Sequence, residues 1–196
     1  MANGEIGYIR FPSFTGTVDE HNLDFMLTRY KNTKGLILDL RENGGGAVSD
    51  VFNLLSRFVE TKTLVNYSRI KNGLPRNAFS AAEAVYVSPH NGIRYKGKVA
   101  MLTDRGTYSA GSFTSLATKA LSNITLIGDT TGGGLGLPNG GQLPNGWSYR
   151  FSVTQALTLD QRPDYENGVP PDIHVLIDWN DRTKDEVIER AMVELL

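Results

Sequence analysis

Two stretches of this chain repeat one order: a short apolar run, a polar turn rich in glycine or serine, and an amphipathic helix pattern. The first covers residues 34–59. Its apolar run is Leu36-Ile37-Leu38-Asp39-Leu40, its turn is Arg41-Glu42-Asn43-Gly44-Gly45-Gly46, and Val48, Val51, Phe52, Leu55, Phe58 and Val59 mark the helix. The second covers residues 98–121. Here Val99-Ala100-Met101-Leu102-Thr103 leads into Thr107-Tyr108-Ser109-Ala110-Gly111-Ser112, and Phe113, Leu116, Ala117, Ala120 and Leu121 share one helical face. A short run with almost no polar side reads as a strand buried on both faces, as strands are in a parallel sheet covered by helices. The alternation therefore predicts an α/β domain with a largely parallel sheet. In such sheets ligands gather beyond the carboxyl ends of the strands. Both turns lie at such ends, so they are expected to meet at one cleft.

The rest of the chain fits the same plan. Residues 5–14, with Ile6, Tyr8, Ile9 and Phe11 before Pro12, read as a strand. Thr17-Val18-Asp19-Glu20 and Thr183-Lys184-Asp185-Glu186 are capping-box patterns opening helices marked by Leu23, Met26, Leu27 and Tyr30, and by Val187, Ala191 and Leu195. Residues 62–71, 84–87, 124–127 and 173–177 read as strands, and 72–83 and 160–171 as loops. Residues 128–141 form a glycine-rich loop. Asn145-Gly146 is a hairpin signal, and the alternation of Trp147, Tyr149, Phe151 and Val153 predicts a half-buried strand.

Composition excludes several function classes. With 20 basic and 21 acidic residues and no basic run, the chain does not read as a nucleic-acid binder. It has no cysteine, hence no thiol nucleophile, and no HExxH or other metal-ligand spacing. No metal and no cofactor are expected. No apolar run is long enough to span a membrane. The start, Met1-Ala2-Asn3-Gly4, carries no leader pattern and runs at once into strand-like residues. Residues 1–196 are thus expected to be one domain of something longer.

Ser109 is the candidate for chemistry. It sits where a strand turns into a helix, and helix-start N–H groups can hold an anion. On local pattern alone a plain N-cap is the commoner reading. The triple glycine 44–46 offers further N–H groups with no side chain in the way, though glycine also suits a tight turn. A base is harder to find. His21, His90 and His174 carry no recognisable signature, and Glu166, in a loop before Gly168-Val169, is the carboxylate to watch.

Four segments, in order, resemble the tail-specific or C-terminal processing serine peptidases. Residues 35–46 look like that family's Asp-Leu-Arg-x-Asn-x-Gly-Gly strand and turn. Thr107 to Ser112 looks like its nucleophile turn. Gly128-Asp129-Thr130-Thr131-Gly132-Gly133 resembles its glycine-rich loop, and Glu166-Asn167-Gly168-Val169-Pro170-Pro171-Asp172 its closing segment. The resemblance implies a crotonase-like fold of repeated strand–strand–helix units and a polypeptide substrate. It implies Ser109 as nucleophile and an oxyanion hole from the N–H groups of Ala110 and, by preference, Gly45. Asp39 and Arg41 would tie down a strand end. Relatives are mostly exported, so a cell-envelope or periplasmic site is expected by resemblance.

The sequence also departs from the family. The lysine base of many members would fall near Gly134, and residues 128–141 contain no lysine. The Tyr108-Ser109-Ala110-Gly111 form is similar instead to the tricorn-like and retinoid-binding-protein-like branch. There a histidine from an upstream helical segment is the base, and a late glutamate, matched by Glu166, completes the relay. That upstream segment and a PDZ-type domain are expected outside residues 1–196. Ser112 stands where the branch often has glutamate. Two other readings follow: a non-catalytic peptide- or ligand-binding module on the same fold, and acyl-CoA chemistry on a crotonase-like core.

Overall fold

The computed structural model describes residues 4–178 and 180–196; residues 1–3, part of the start that carries no leader pattern, lie outside the described residues. Five parallel strands form the central sheet: β1 (Ile6–Arg10), β2 (Gly35–Asp39), β5 (Lys98–Thr103), β6 (Ile124–Gly128) and β10 (Ile173–His174), in that spatial order. Both apolar runs of the repeated units occupy its interior. Leu36, Ile37 and Leu38 of β2, and Ala100, Met101 and Leu102 of β5, have no solvent exposure. A strand between two neighbours and two covered faces has no wet side, so its sequence need not alternate.

Three helices follow the sheet strands on one face: α1 (Glu20–Tyr30), α2 (Val48–Leu55) and α3 (Ala110–Thr118). Their side chains join Leu36, Leu38, Val99 and Met101 in one apolar cluster. The last helix, α4 (Glu186–Leu195), buries Val187, Ala191 and Leu195 against Ile6, Ile37, Ala100, Leu102 and Ile127 on the other face. A second, antiparallel sheet is formed by β3 (Thr63–Ile70), β4 (Glu83–Val87) and β9 (Thr154–Leu157), in the order β4-β3-β9. A two-stranded ribbon, β7 (Pro138–Gln142) with β8 (Ser148–Ser152), stands apart from both.

Three expectations are corrected. The N-caps are Asp19 and Asp185, whose side chains accept the N–H groups of Asn22 at 2.8 Å and Ile188 at 3.0 Å. The threonines that head each capping box lie outside the helix, because aspartate two residues on offers the better acceptor. The ribbon strand β7 lies inside the stretch 128–141 that reads as glycine loop, since Gly140 and Gly141 gave no strand signal. Its partner β8 is exposed on both faces rather than half-buried.

Candidate active site

Between β5 and α3 the chain makes a turn held by several hydrogen bonds. Asp104 accepts the Thr107 N–H through its carbonyl (3.1 Å) and its carboxylate (2.9 Å). The buried Thr107 hydroxyl donates to Leu40 O at 2.8 Å, at the end of β2. The Tyr108 N–H donates to Asn43 O (2.8 Å) and the Ser109 N–H to Gly133 O (2.9 Å). Ser109 is thereby held where the first glycine turn, its own turn and the second glycine loop converge.

That anchoring sustains a strained backbone. Ser109 has φ 53° and ψ −118°, a region that a residue with a β-carbon enters at a cost of about 1–3 kcal/mol. It occupies the N-cap position of α3, yet its side chain makes no capping bond. The half-buried hydroxyl has no hydrogen-bond partner among the described residues.

Gly45 lies against it. A β-carbon on Gly45 would come within 2.7 Å of Ser109 Cβ and 2.9 Å of Ala110 N, and its φ of 94° is itself left-handed. Only glycine lets the first turn approach the serine this closely. Ala110 opens α3, so its N–H has no acceptor inside the helix. The Gly45 N–H donates to Asn43 Oδ1 at 2.9 Å. Asn43 is fully buried, and its Nδ2 donates to Phe11 O at 2.8 Å. The Asn43 side-chain amide thus braces the end of the first strand and the glycine turn, while the Asn43 backbone carbonyl holds the turn of Tyr108 and Ser109. The Asp-Leu-Arg-x-Asn motif contains this asparagine, but nothing in its spacing shows the triple duty.

The second glycine loop is locked by Ser112. Its buried Oγ lies 3.0 Å from Thr107 O and 2.9 Å from Thr131 Oγ1, and accepts the Gly133 N–H at 3.1 Å. Thr131 Oγ1 also accepts the Val169 N–H at 2.9 Å. The residue that departs from the family pattern is therefore a structural lock. On the same loop, a β-carbon at Gly134 would lie 2.3 Å from Tyr108 Cζ. The tyrosine ring fills the space into which a side chain at position 134 would project.

Glu166 joins the loop through its backbone, its carbonyl accepting the Gly134 N–H at 3.0 Å. Burial raises the pKa of its carboxyl above the ordinary value, against a smaller lowering from a backbone hydrogen bond with Gly136. The structure places Glu166 beside the loop that holds Ser109, without a hydrogen bond between the two side chains. None of the histidines bonds to Ser109. His21 is exposed on α1, His90 accepts the Gly92 N–H at 2.9 Å and lies 3.3 Å from Glu20, and His174 lies 3.4 Å from Asp129. Lys119 pairs with Asp172 at 2.6 Å. Among the described residues, no imidazole or ammonium group is bonded to Ser109.

Asp39 and Arg41 form a rigid knot at the carboxyl end of β2. Arg41 donates to Asp39 through Nε (3.0 Å) and Nη2 (2.7 Å), and through Nη1 to both oxygens of Asp185 at 2.9 Å. Tyr8 OH adds a bond to Asp39 Oδ2 at 2.7 Å. Burial alone would raise the Asp39 pKa, but Arg41 and Tyr8 together hold it below the ordinary range. These residues line a cleft of about 720 Å³ on the α4 side, and Ser109 does not line it. Among the described residues, no group of His, Cys, Asp and Glu could hold a metal ion, and no helix is long and apolar enough to cross a membrane.

The model of peptidase family S41 matches residues 5–175. The carboxy-terminal processing protease CtpA of Bacillus subtilis is 26% identical over 174 residues, which are 88% of this chain and 35% of that protein. A solved structure of a candidate peptidase from Parabacteroides merdae superposes with a TM-score of 0.95 at 40% identity, over 100% of this chain and 62% of that one. The tricorn protease shares the fold at a TM-score of 0.59 and 23% identity, across 99% of this chain and 18% of that one. The chain thus spans about a third of the curated relative's length.

Proposed function

The chain belongs to peptidase family S41, and on that premise we propose that it is the catalytic core of a serine endopeptidase with a crotonase-like fold. Ser109 Oγ attacks the carbonyl carbon of a peptide bond in a polypeptide substrate, and its proton passes to a general base. The tetrahedral intermediate collapses, and the leaving amine takes the proton from that base. Water, deprotonated by the same base, then releases the acyl group from Ser109 as a carboxylate.

The oxyanion is held by Ala110 N–H and Gly45 N–H. The latter exchanges its neutral acceptor, Asn43 Oδ1, for the stronger charged one. The base is a histidine supplied by sequence outside residues 1–196, since no described imidazole is bonded to Ser109. Glu166 orients that base. The Ser–Lys dyad does not apply, because Tyr108 fills the space beside Gly134.

The observation that carries this reading is the backbone of Ser109, a β-carbon residue held at φ 53° with its hydroxyl released from capping. A binding module on the same fold would gain nothing from that strain, which argues against the non-catalytic alternative. The test is hydrolysis of an unfolded polypeptide by the full-length protein, read by mass spectrometry of the fragments. Ser109→Ala abolishes the fragments and leaves the melting temperature within about a degree, since the hydroxyl bonds no described residue and its loss leaves nothing unpaired. Fragments that persist in the variant overturn the assignment.

A further inference from the structure

The ribbon β7–β8 has an apolar face that no described residue covers. Pairing of Gly141 with Tyr149 and Asn139 with Phe151 places the odd-numbered residues on one side. That side carries Leu137, Leu143, Trp147, Tyr149 and Phe151, exposed by 51, 44, 72, 46 and 53%. Tyr149 and Phe151 stack at 6.0 Å with their planes 7° apart. The opposite side carries Gln142, Ser148, Arg150 and Ser152. The ribbon is therefore amphipathic, while each of its strands also keeps one edge unpaired.

Its root is continuous with the candidate site. Gly133, whose carbonyl receives the Ser109 N–H, stands four residues before Leu137, and Leu137 N–H donates to Thr154 Oγ1 at 2.7 Å where β9 begins.

We propose that this ribbon is a docking platform for an apolar, extended stretch of the polypeptide substrate; the inference rests on the peptidase reading of the site. Two physical arguments choose the occupant. The exposed apolar side chains sum to roughly 600 Å², the upper end of what a monomer shows and often functional. The root beside the loop that holds Ser109 puts this face in the path of a chain entering the site, which favours substrate over a second copy. The free strand edges need N–H and C=O partners, which an extended polypeptide supplies by adding a strand and a lipid surface does not.

The test separates docking from chemistry. A fluorescein-labelled apolar peptide of Leu, Val and Phe spaced by Ser is titrated into wild type and into Trp147→Ser and Phe151→Ser, with fluorescence anisotropy as readout. Both positions are exposed, so the melting temperature stays at its wild-type value. Each variant binds the peptide about tenfold or more weakly, the share expected from one large apolar side chain, and an all-polar peptide of equal length binds neither. Unchanged peptide affinity in both variants overturns the proposal. So does a wild-type dimer in sedimentation that Phe151→Ser dissolves, which would make the face a self-association surface. Wild-type binding to phosphatidylglycerol vesicles, lost in the variants and without peptide binding, overturns it in favour of a lipid surface. Labelling of Ser109 by a fluorophosphonate in the same full-length samples reports on the peptidase reading separately.

Discussion

Ser109 and Gly45 meet at a contact that neither could make with another partner. Gly45 approaches Ser109 so closely that a β-carbon would strike both Ser109 Cβ and Ala110 N. Gly45→Ala is therefore expected to cost about 1–3 kcal/mol of stability, measured by denaturant unfolding, and roughly 10²–10³ in peptide hydrolysis. The strain at Ser109 gives a second test. Ser109→Gly raises stability by about 1 kcal/mol because glycine accepts φ 53° freely, whereas Ser109→Ala does not.

Glu166 gives a pH signature. Its folded pKa is raised by burial, so the folded state binds the proton more tightly than the unfolded one. Stability attributable to it falls as pH rises from the ordinary carboxylate value through the raised one. Glu166→Gln removes that fall, so its melting temperature overtakes that of wild type above this window and not below it. The turn positions of Ser109 and of the glycines were legible because their types answer to local backbone needs. The bracing by Asn43 and the Tyr108 ring over Gly134 were not, since both depend on segments that only the fold brings together.

The elements were largely legible where burial is one-sided or complete. Strands β2 and β5 follow from apolar runs, and α4 from the spacing of Val187, Ala191 and Leu195. The ribbon was misread because alternation shows that one face is apolar and not that anything covers it. The knot between β2 and α4 was legible only as a family role for Asp39 and Arg41; Asp185 entered through the fold. Asp39→Asn breaks a buried ion pair and is expected to cost about 3 kcal/mol near neutral pH. The Asp39 pKa is lowered in the fold, so its contribution is present above the ordinary carboxylate value and is lost as pH falls through the lowered one. The wild-type melting curve should lose that share on acidification, and Asp39→Asn should not. Asp185→Ala removes both a cap and an Arg41 partner, and the two substitutions together should cost less than their sum.

At the scale of the whole molecule, a parallel sheet covered on both faces delivers two turns to the same carboxyl edge. The β1-β2-β5-β6-β10 order sets β2 beside β5, so their following turns meet, as the repeated units in the sequence suggested. What the sequence could not place was the antiparallel β4-β3-β9 sheet or the free ribbon, because strand partners distant in the chain leave no local trace. The proposed role of Ser109 as the activated nucleophile of a peptidase core is tested most directly by intact-mass spectrometry of the full-length protein after a fluorophosphonate probe, with Ser109→Ala alongside. A single adduct is expected, mapping to Ser109 and vanishing in the variant. No adduct on the full-length protein, or one that survives Ser109→Ala, would contradict it.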